Sequence, residues 1–255
     1  SSRRATTRAL TLAPCRSIDE VFRATEAGQT DFAVVPVENS TEGAVGRTLD
    51  LLMQTSLKVC GEVVLRIHQH LLRKSATLDG IQRVYSHSQS LGQCHEWLNA
   101  HLPHVERIPV TSNAEAARLA SLDETSAAIA GEAAAERYEL IKVVANIEDE
   151  PNNTTRFLVL GQQDAPPSGK DKTSLLLTAK NQPGAVHELL APLAASGVSM
   201  SKFESRPAKG GTWEYVFFVD VEGHRDIEPV RTALDTLRDK AVMLRVLGSY
   251  PVAVL

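Results

Sequence analysis

The sequence predicts an α/β protein in two parts: a larger region built on largely parallel sheets, then a βαββαβ domain of ferredoxin type. Three observations lead there. Up to Leu160, short apolar runs alternate with helical patterns, the rhythm of strands joined by covering helices. At GQQDAPPSGKDK, 161–172, Gly, Pro, Ser and charge replace the apolar run Phe157–Leu160, which marks a linker. Beyond it, the order strand, helix, strand, strand, helix, strand fits a split βαβ sandwich. The expected domains are therefore 1–165 and 172–255, each long enough for a core of its own.

In chain order, SIDEVFRATEAG gives the first helix: Ser17 is its expected N-cap, Glu20 completes a capping box, and Gly28 ends it. Phe32–Val37 is a short buried strand. A helix over 48–54 follows, then one strand-like stretch VCGEVVLRIHQHLL, the strand VYSHS, and a helix from Ser90 to His101. IPVT, the helix NAEAARLAS, SAAIAG, a helix through AAAERY and the run ending RFLVL complete the region. In the second part TSLLLTA, VSMSKFESRP, WEYVFFVDVEG and AVMLRVLGSYPV read as strands. GAVHELLAPLAAS, apolar at Val186, Leu189, Leu190 and Leu193, and IEPVRTALDTLRDK read as its helices. One face of this sheet is expected under the helices, leaving the other face and an edge for dimer contacts or small ligands.

Charge and composition narrow the function classes. Basic residues number 27 against 31 acidic, a net charge of -4 with no basic block, so the footprint of a nucleic-acid partner is missing. No apolar run approaches the roughly 20 residues that span a bilayer, which argues against a membrane partner. Cys15, Cys60 and Cys94 lie far apart, with no CxxC pair or metal-ligand spacing, and read as free thiols of a reducing compartment. SSRRATTRALTLAPCRS lacks a secretory h-region and cleavage site, so the expected location is the cytoplasm. Without a metal motif, GxGxxG or P-loop, no cofactor is expected.

Four segments carry polar residues at the ends of apolar runs, where ligands bind in open α/β sheets. VPVENSTEG sets Glu38, Asn39, Ser40 and Thr41 after a buried strand; the plain alternative is a capped turn. VYSHSQSLGQC closes a strand at Ser86 and puts Gln89 and Gln93 four apart at a helix start, a hydroxyl and two amides suited to a carboxylate or hydroxyl; the alternative is again an N-cap. VTSNAEAA offers Thr111, Ser112 and Asn113, mostly a cap. In IEDEPNNTTRF the three acids read as a solvated loop, whereas Thr155 and Arg156 stand out as a hydroxyl beside an anion anchor with bidentate geometry.

VPVENSTEG, YSHSQSLGQC and NTTRF, in that order, resemble the prephenate dehydratase family, and the second part, with NQPGAV and ESRP, is similar to the ACT regulatory domain attached to those enzymes. The resemblance runs from about Pro14 to Leu255. It implies a catalytic domain like type 2 periplasmic binding proteins, with two α/β lobes closing on a small anion, and a carbon-oxygen lyase that converts prephenate to phenylpyruvate in phenylalanine biosynthesis. By the same resemblance Thr155 assists departure of the ring hydroxyl, and Asn39, Ser40, Ser86, Gln93, Ser112 and Arg156 line the cleft, Arg156 holding a carboxylate. L-Phenylalanine is the implied effector, bound by Asn181, Pro183, Gly184, Ala185 and Val186 with Glu204, Ser205 and Arg206 in a homodimer or homotetramer. Ser88 and Ser90 stand where the family commonly has proline and a small apolar residue. The family's first strand and glycine-rich Thr/Ser-Phe-Ser loop find no match before Ser17, so the chain is expected to lack them. Fold alone leaves a rival open, a non-catalytic two-lobed sensor of amino or keto acids.

Overall fold

The computed structural model describes residues 11–179, 182–208 and 215–253, so the expected effector residue Asn181 lies outside the described residues. The chain forms two compact units, residues 1–64 with 156–255 and residues 65–155. These units differ from the expected division into 1–165 and 172–255, because the C-terminal part falls in one compact unit with residues 1–64.

The first unit opens with α1 (Ile18–Glu26), where Ser17 Oγ accepts from Glu20 N at 3.2 Å as an N-cap. β1 (Phe32–Asn39) buries alternate residues, Ala33, Val35 and Val37, as period-two patterning requires. β2 (Gly43–Ala44), α2 (Gly46–Leu52) and β3 (Lys58–Arg66) follow, and β9 (Thr154–Gly161) returns after the second unit to complete a sheet ordered β2-β1-β9-β3.

In the second unit, β4 (His70–Arg73), β5 (Arg83–His87), β6 (Glu106–Val110), β7 (Ser126–Ala130) and β8 (Ile141–Val144) make a sheet ordered β6-β5-β7-β4-β8. It is mixed rather than largely parallel: β5 pairs parallel with β6 and β7, while β4 pairs antiparallel with β7 and β8. The long stretch expected as one strand breaks between β3 and β4. The helix expected over 90–101 likewise divides into α3 (Ser88–Gln93) and α4 (His95–His101). The division is chemical, because the Asp149 carboxylate accepts from Glu96 N and Trp97 N and caps the second helix. α5 (Asn113–Ala120) packs Ala116, Ala117 and Ala120 with Ala128 and Ala130 of β7 and Ala135 of α6 (Glu132–Tyr138); side chains this small let a helix sit close to a sheet.

The C-terminal part is β10 (Asp171–Thr178), α7 (Ala185–Ala195), β11 (Met200–Pro207), β12 (Tyr215–Glu222), α8 (Val230–Lys240) and β13 (Met243–Pro251), with strand order β11-β12-β10-β13. Leu175 and Leu177 face the helices and pack with Leu189, Leu193, Leu234 and Leu237. The opposite face, expected to be open, is covered. Leu176, Phe218, Leu247 and Tyr250 share one core with Phe22, Val35, Leu52 and Leu160 of the first lobe. The reason stands in the sequence: TSLLLT and VFFVDV are apolar at consecutive positions, the mark of strands buried on both faces. The sheet ends in the edge strands β11 and β13, and β11 exposes Met200 and Phe203.

Contact between the two halves of this unit is close enough to require a glycine. A Cβ built on Gly248 would lie 2.0 Å from the backbone oxygen of Val59, and β13 bulges at this level of its pairing with β10. Gly248→Ala is expected to destabilise the protein by about 3 kcal/mol through overpacking. Gly92→Ala, where a Cβ meets nothing within 4 Å, is expected to leave stability unchanged or raise it slightly. Thermal denaturation of both variants checks the contrast.

Candidate active site

The second unit gathers a neutral polar cluster where β5 ends. Ser86 is fully buried; its hydroxyl donates to the Ile129 carbonyl at 2.7 Å and lies 3.0 Å from Asn113 Oδ1. That oxygen also accepts from His87 N at 3.1 Å, and Asn113 Nδ2 donates to Ser90 Oγ at 2.9 Å. Gln69 Nε2 lies 3.3 Å from both Ser90 Oγ and Gln93 Oε1. The side-chain oxygen of Gln69 is buried and has no hydrogen-bond partner among the described residues. Ser86 and Gln93 thus belong to one hydrogen-bonded cluster, in which the buried Ser86 lies against Asn113. The neighbouring Ser112 is an exposed cap that accepts from Glu115 N at 3.1 Å.

Beside this cluster two of the three acids of IEDE depart from the expected solvated loop, while Glu150 is exposed. Glu148 is buried, takes His68 Nδ1 at 2.7 Å and accepts from Gln69 N at 2.9 Å, while Asp149 caps α4. Sequence reasoning passed over Gln69, took Asn113 mostly as part of a cap, noted Ser90 only as a departure from the family pattern, and placed Glu148 in a solvated loop. A usable signal was that acids four and five residues beyond the apolar Val143 and Val144 run, directly after Ile147, are placed to satisfy neighbouring backbone amides.

In the first unit, Asn39 Oδ1 accepts from Thr41 N at 3.0 Å, Thr41 Oγ1 at 2.6 Å and Glu42 N at 3.2 Å, an Asx turn that leaves Ser40 exposed at its tip. Thr155 is half-buried near the start of β9.

Arg156, expected to hold a substrate carboxylate, has protein partners on every nitrogen instead. Nε donates to Glu62 at 2.7 Å, Nη1 to Asp220 at 2.6 Å and Nη2 to Tyr250 Oη at 2.8 Å, with Glu38 3.7 Å away. Pleating supplies the physical reason: successive residues of a strand point to opposite faces, so Arg156 faces the C-terminal domain when Thr155 faces away from it. The shell continues outward. Lys172 Nζ meets both oxygens of Glu62 at 3.0 Å, and Ser174 Oγ donates to Asp220 at 2.6 Å. Since the one serine proton goes to Asp220, the 2.7 Å contact between Ser174 and Tyr250 is donated by the tyrosine.

The expected effector residues divide. Gly184 caps α7 in the left-handed region at φ +80°, ahead of Ala185 and Val186, while Pro183 is exposed. Gln182, Ala185, Glu188 and Leu189 line a cavity of about 220 Å³ together with Asp239 and Lys240. On β11, Glu204 and Arg206 share the face of Lys202, which reaches Glu38 at 2.8 Å; Ser205 lies with Phe203 on the other. Arg206 is itself bonded to Asp50 of α2 at 2.7 Å. The three do not present one contiguous surface.

Residues 2–165 match the family model described as prephenate dehydratase, and residues 173–239 match that of the ACT domain. The chain belongs to the prephenate dehydratase family. A bifunctional chorismate mutase/prephenate dehydratase of Neisseria gonorrhoeae is 58% identical over 244 residues, covering 94% of this chain and 67% of that one. A prephenate dehydratase of Arthrobacter aurescens, solved in complex with L-Phe, superposes with a TM-score of 0.84 at 32% identity over 93% of this chain and 80% of that one. GqqA, described as a novel type of quorum quenching acylase, has a TM-score of 0.85 at 30% identity over 94% and 89%. One fold carries both descriptions, so the shape alone does not decide the chemistry of a prephenate dehydratase-family chain.

The electrostatics of the Arg156 cage set a pH limit. Burial opposes ionisation of Glu62, but the Arg156 guanidinium beside it and the Lys172 ammonium hold its carboxyl below the usual carboxylate range. Burial also opposes the charge on Arg156, which Asp220, Tyr250 and Glu62 more than restore. A carboxyl lowered on folding stabilises fully above its unfolded value of about 4.3, and the contribution disappears as pH falls through the lower folded value. Glu62→Gln is therefore expected to cost about 3 kcal/mol at pH 7, with the gap to the unaltered protein closing below about pH 4. Urea denaturation across pH 3 to 7 measures it; a gap independent of pH would contradict the charge assignment.

Proposed function

We propose that this chain catalyses the decarboxylating dehydration of prephenate to phenylpyruvate, the reaction for which its family is named, under feedback by L-phenylalanine through the C-terminal domain. The observation that carries this reading is the family match over residues 2–165. The reaction breaks two bonds of the prephenate ring: the ring carboxylate leaves as carbon dioxide, its electron pair enters the ring, and the hydroxyl opposite departs. One proton converts the departing hydroxide to water, and aromatisation supplies the drive. The protein is left to orient a dianion and to stabilise the departing hydroxide, a task of positioned donors.

Thr155 is the donor we assign to the departing oxygen, and Asn39, Ser40 and Gln93 the substrate contacts. Ser86 acts through Asn113, and Gln69 offers its unpartnered buried oxygen to a substrate hydroxyl. Arg156 leaves the list of substrate ligands and Ser112 becomes a cap. Neutral donors suit the purpose, since they stabilise developing negative charge without trapping the dianion in its ground state.

For the effector, the L-Phe bound in the Arthrobacter relative and the glycine-capped start of α7 beside the cavity support a carboxylate site at residues 183–186. Assembly into a homodimer or homotetramer through the open β11 edge and residence in the cytoplasm, where the three unpaired thiols stay reduced, belong to the same reading. No described helix is long and apolar enough to cross a membrane.

Thr155→Ala is expected to reduce turnover at least tenfold with little change in melting temperature, because the hydroxyl acts on the transition state more than on the core. Phenylpyruvate formation, followed by ultraviolet absorbance, measures it; unaltered turnover removes Thr155 from the mechanism. The adjacent pair Ser112 and Asn113 separates capping from catalysis. Ser112→Ala should cost about 1 kcal/mol of stability and leave turnover intact, whereas Asn113→Ala should lower turnover at least tenfold by freeing Ser86 and Ser90.

A further inference from the structure

We propose that Arg156 is a positioning residue, and that its cage of Glu62, Asp220 and Tyr250 is the connection through which the C-terminal domain biases Thr155. This rests on the reading of Thr155 as the donor to the departing hydroxyl.

The geometry is specific. Glu62 belongs to β3, the neighbour of β9 in the first sheet, whereas Asp220 and Tyr250 belong to β12 and β13 of the other. One side chain on β9 therefore fixes that strand against both sheets. The side chain of Arg156 is 13% exposed, Glu62 2% and Asp220 7%, and Tyr250 belongs to the hydrophobic cluster that the first lobe shares with the C-terminal sheet. Stability gives little reason for charges in such a place, since well-packed apolar residues of the same volume serve as well or better. What the charges add is a fixed orientation: three donors in one plane admit a single placement of the guanidinium, and so of its backbone. Thr155 is the next residue on the strand, with its side chain on the opposite face, and a shift of Arg156 is a shift of Thr155.

The cage also meets the segment proposed to sense the effector. Asp220 pairs in register with Lys202 on β11, two residues before Glu204, and the ammonium of Lys202 holds Glu38, which also faces Arg156. A ligand that repositions β11 acts on Asp220 across one strand pair. Adjacency of this kind becomes coupling only if the two ends change each other's equilibrium, and that is measurable.

Tyr250→Phe deletes one hydroxyl from the cage and keeps the ring in the core; Asp220→Asn keeps the shape and removes the charge. Neither residue is assigned to substrate or effector. In both variants calorimetry should find phenylalanine affinity within about threefold of the unaltered chain, while the fraction of activity surviving at saturating phenylalanine rises at least about fivefold. kcat should fall several-fold with KM little changed, the signature of a misplaced donor rather than lost substrate binding. Hydrogen exchange gives an independent arm. Amides of residues 154–158 should exchange faster in Tyr250→Phe than in the unaltered chain without any ligand, and in the unaltered chain phenylalanine should alter that exchange. Folded variants with unchanged kcat and full inhibition would overturn the proposal, and so would exchange at 154–158 indifferent to both changes. If the variants do not fold, phenylalanine-dependent exchange in the unaltered chain decides the matter alone. Failure of the unaltered chain to form phenylpyruvate counts against the assigned reaction instead, and is read before any variant is made.

Discussion

A positive charge held inside an apolar core is the constraint around which the first unit is arranged. Arg156 sits where the first lobe and the C-terminal sheet share one hydrophobic cluster, and it is tolerated there because each nitrogen has an oxygen to meet. Each of those oxygens needs its own partners in turn. Lys172 and the amide of Ala253 complete Glu62, and Ser174 completes Asp220. Strands from both sheets are committed to this one group, so neither sheet can slide without stranding a buried charge. Other contacts in the same unit repeat the theme: Arg245 on β13 donates to the carbonyls of Leu52 and Met53, closing the C-terminal end of α2.

The second unit solves a different problem with different means. Its polar cluster carries hydroxyls and amides at the end of β5 and keeps its carboxylates, Glu148 and Asp149, for backbone amides and a histidine. The alanine-rich packing of α5 on β7 keeps Asn113, the first residue of that helix, within reach of both Ser86 and Ser90. Small side chains in the core thus fix a polar group at the surface, where a bulkier layer would hold the helix away.

Much of this was legible in the sequence, for reasons that differ by element. Strand and helix identities followed from periodicity, and the capping of α1 by Ser17 from a local signal that needs no tertiary information. Ser86 and Gln93 were found because they lie on one segment. Gln69 was not, and Asn113 was taken only for part of a cap, since both reach the cluster from other segments and single-sequence patterns carry no distances. Arg156 was singled out correctly and given the wrong partner: a guanidinium suits a substrate carboxylate and a protein carboxylate equally, and only the fold brings Asp220 to it. The covered face of the C-terminal sheet was written in its consecutive leucines, which outweighed the expectation that a four-stranded sheet keeps one side wet.

The strand order β2-β1-β9-β3 has a consequence for how the chain is made. On the ribosome the first three strands emerge well before β9, which belongs between two of them. Residues 65–155 emerge in the interval and form a compact unit of their own. The second unit can therefore close on its own during synthesis, whereas the first must wait with an open edge in its sheet. Even the arrival of β9 does not end the wait, because Arg156 then carries its charge into the centre with Asp220 and Tyr250 still to be translated. The last link of the cage is supplied by the final strand, and until then nascent protein presents an unsealed apolar surface, the kind that chaperones bind.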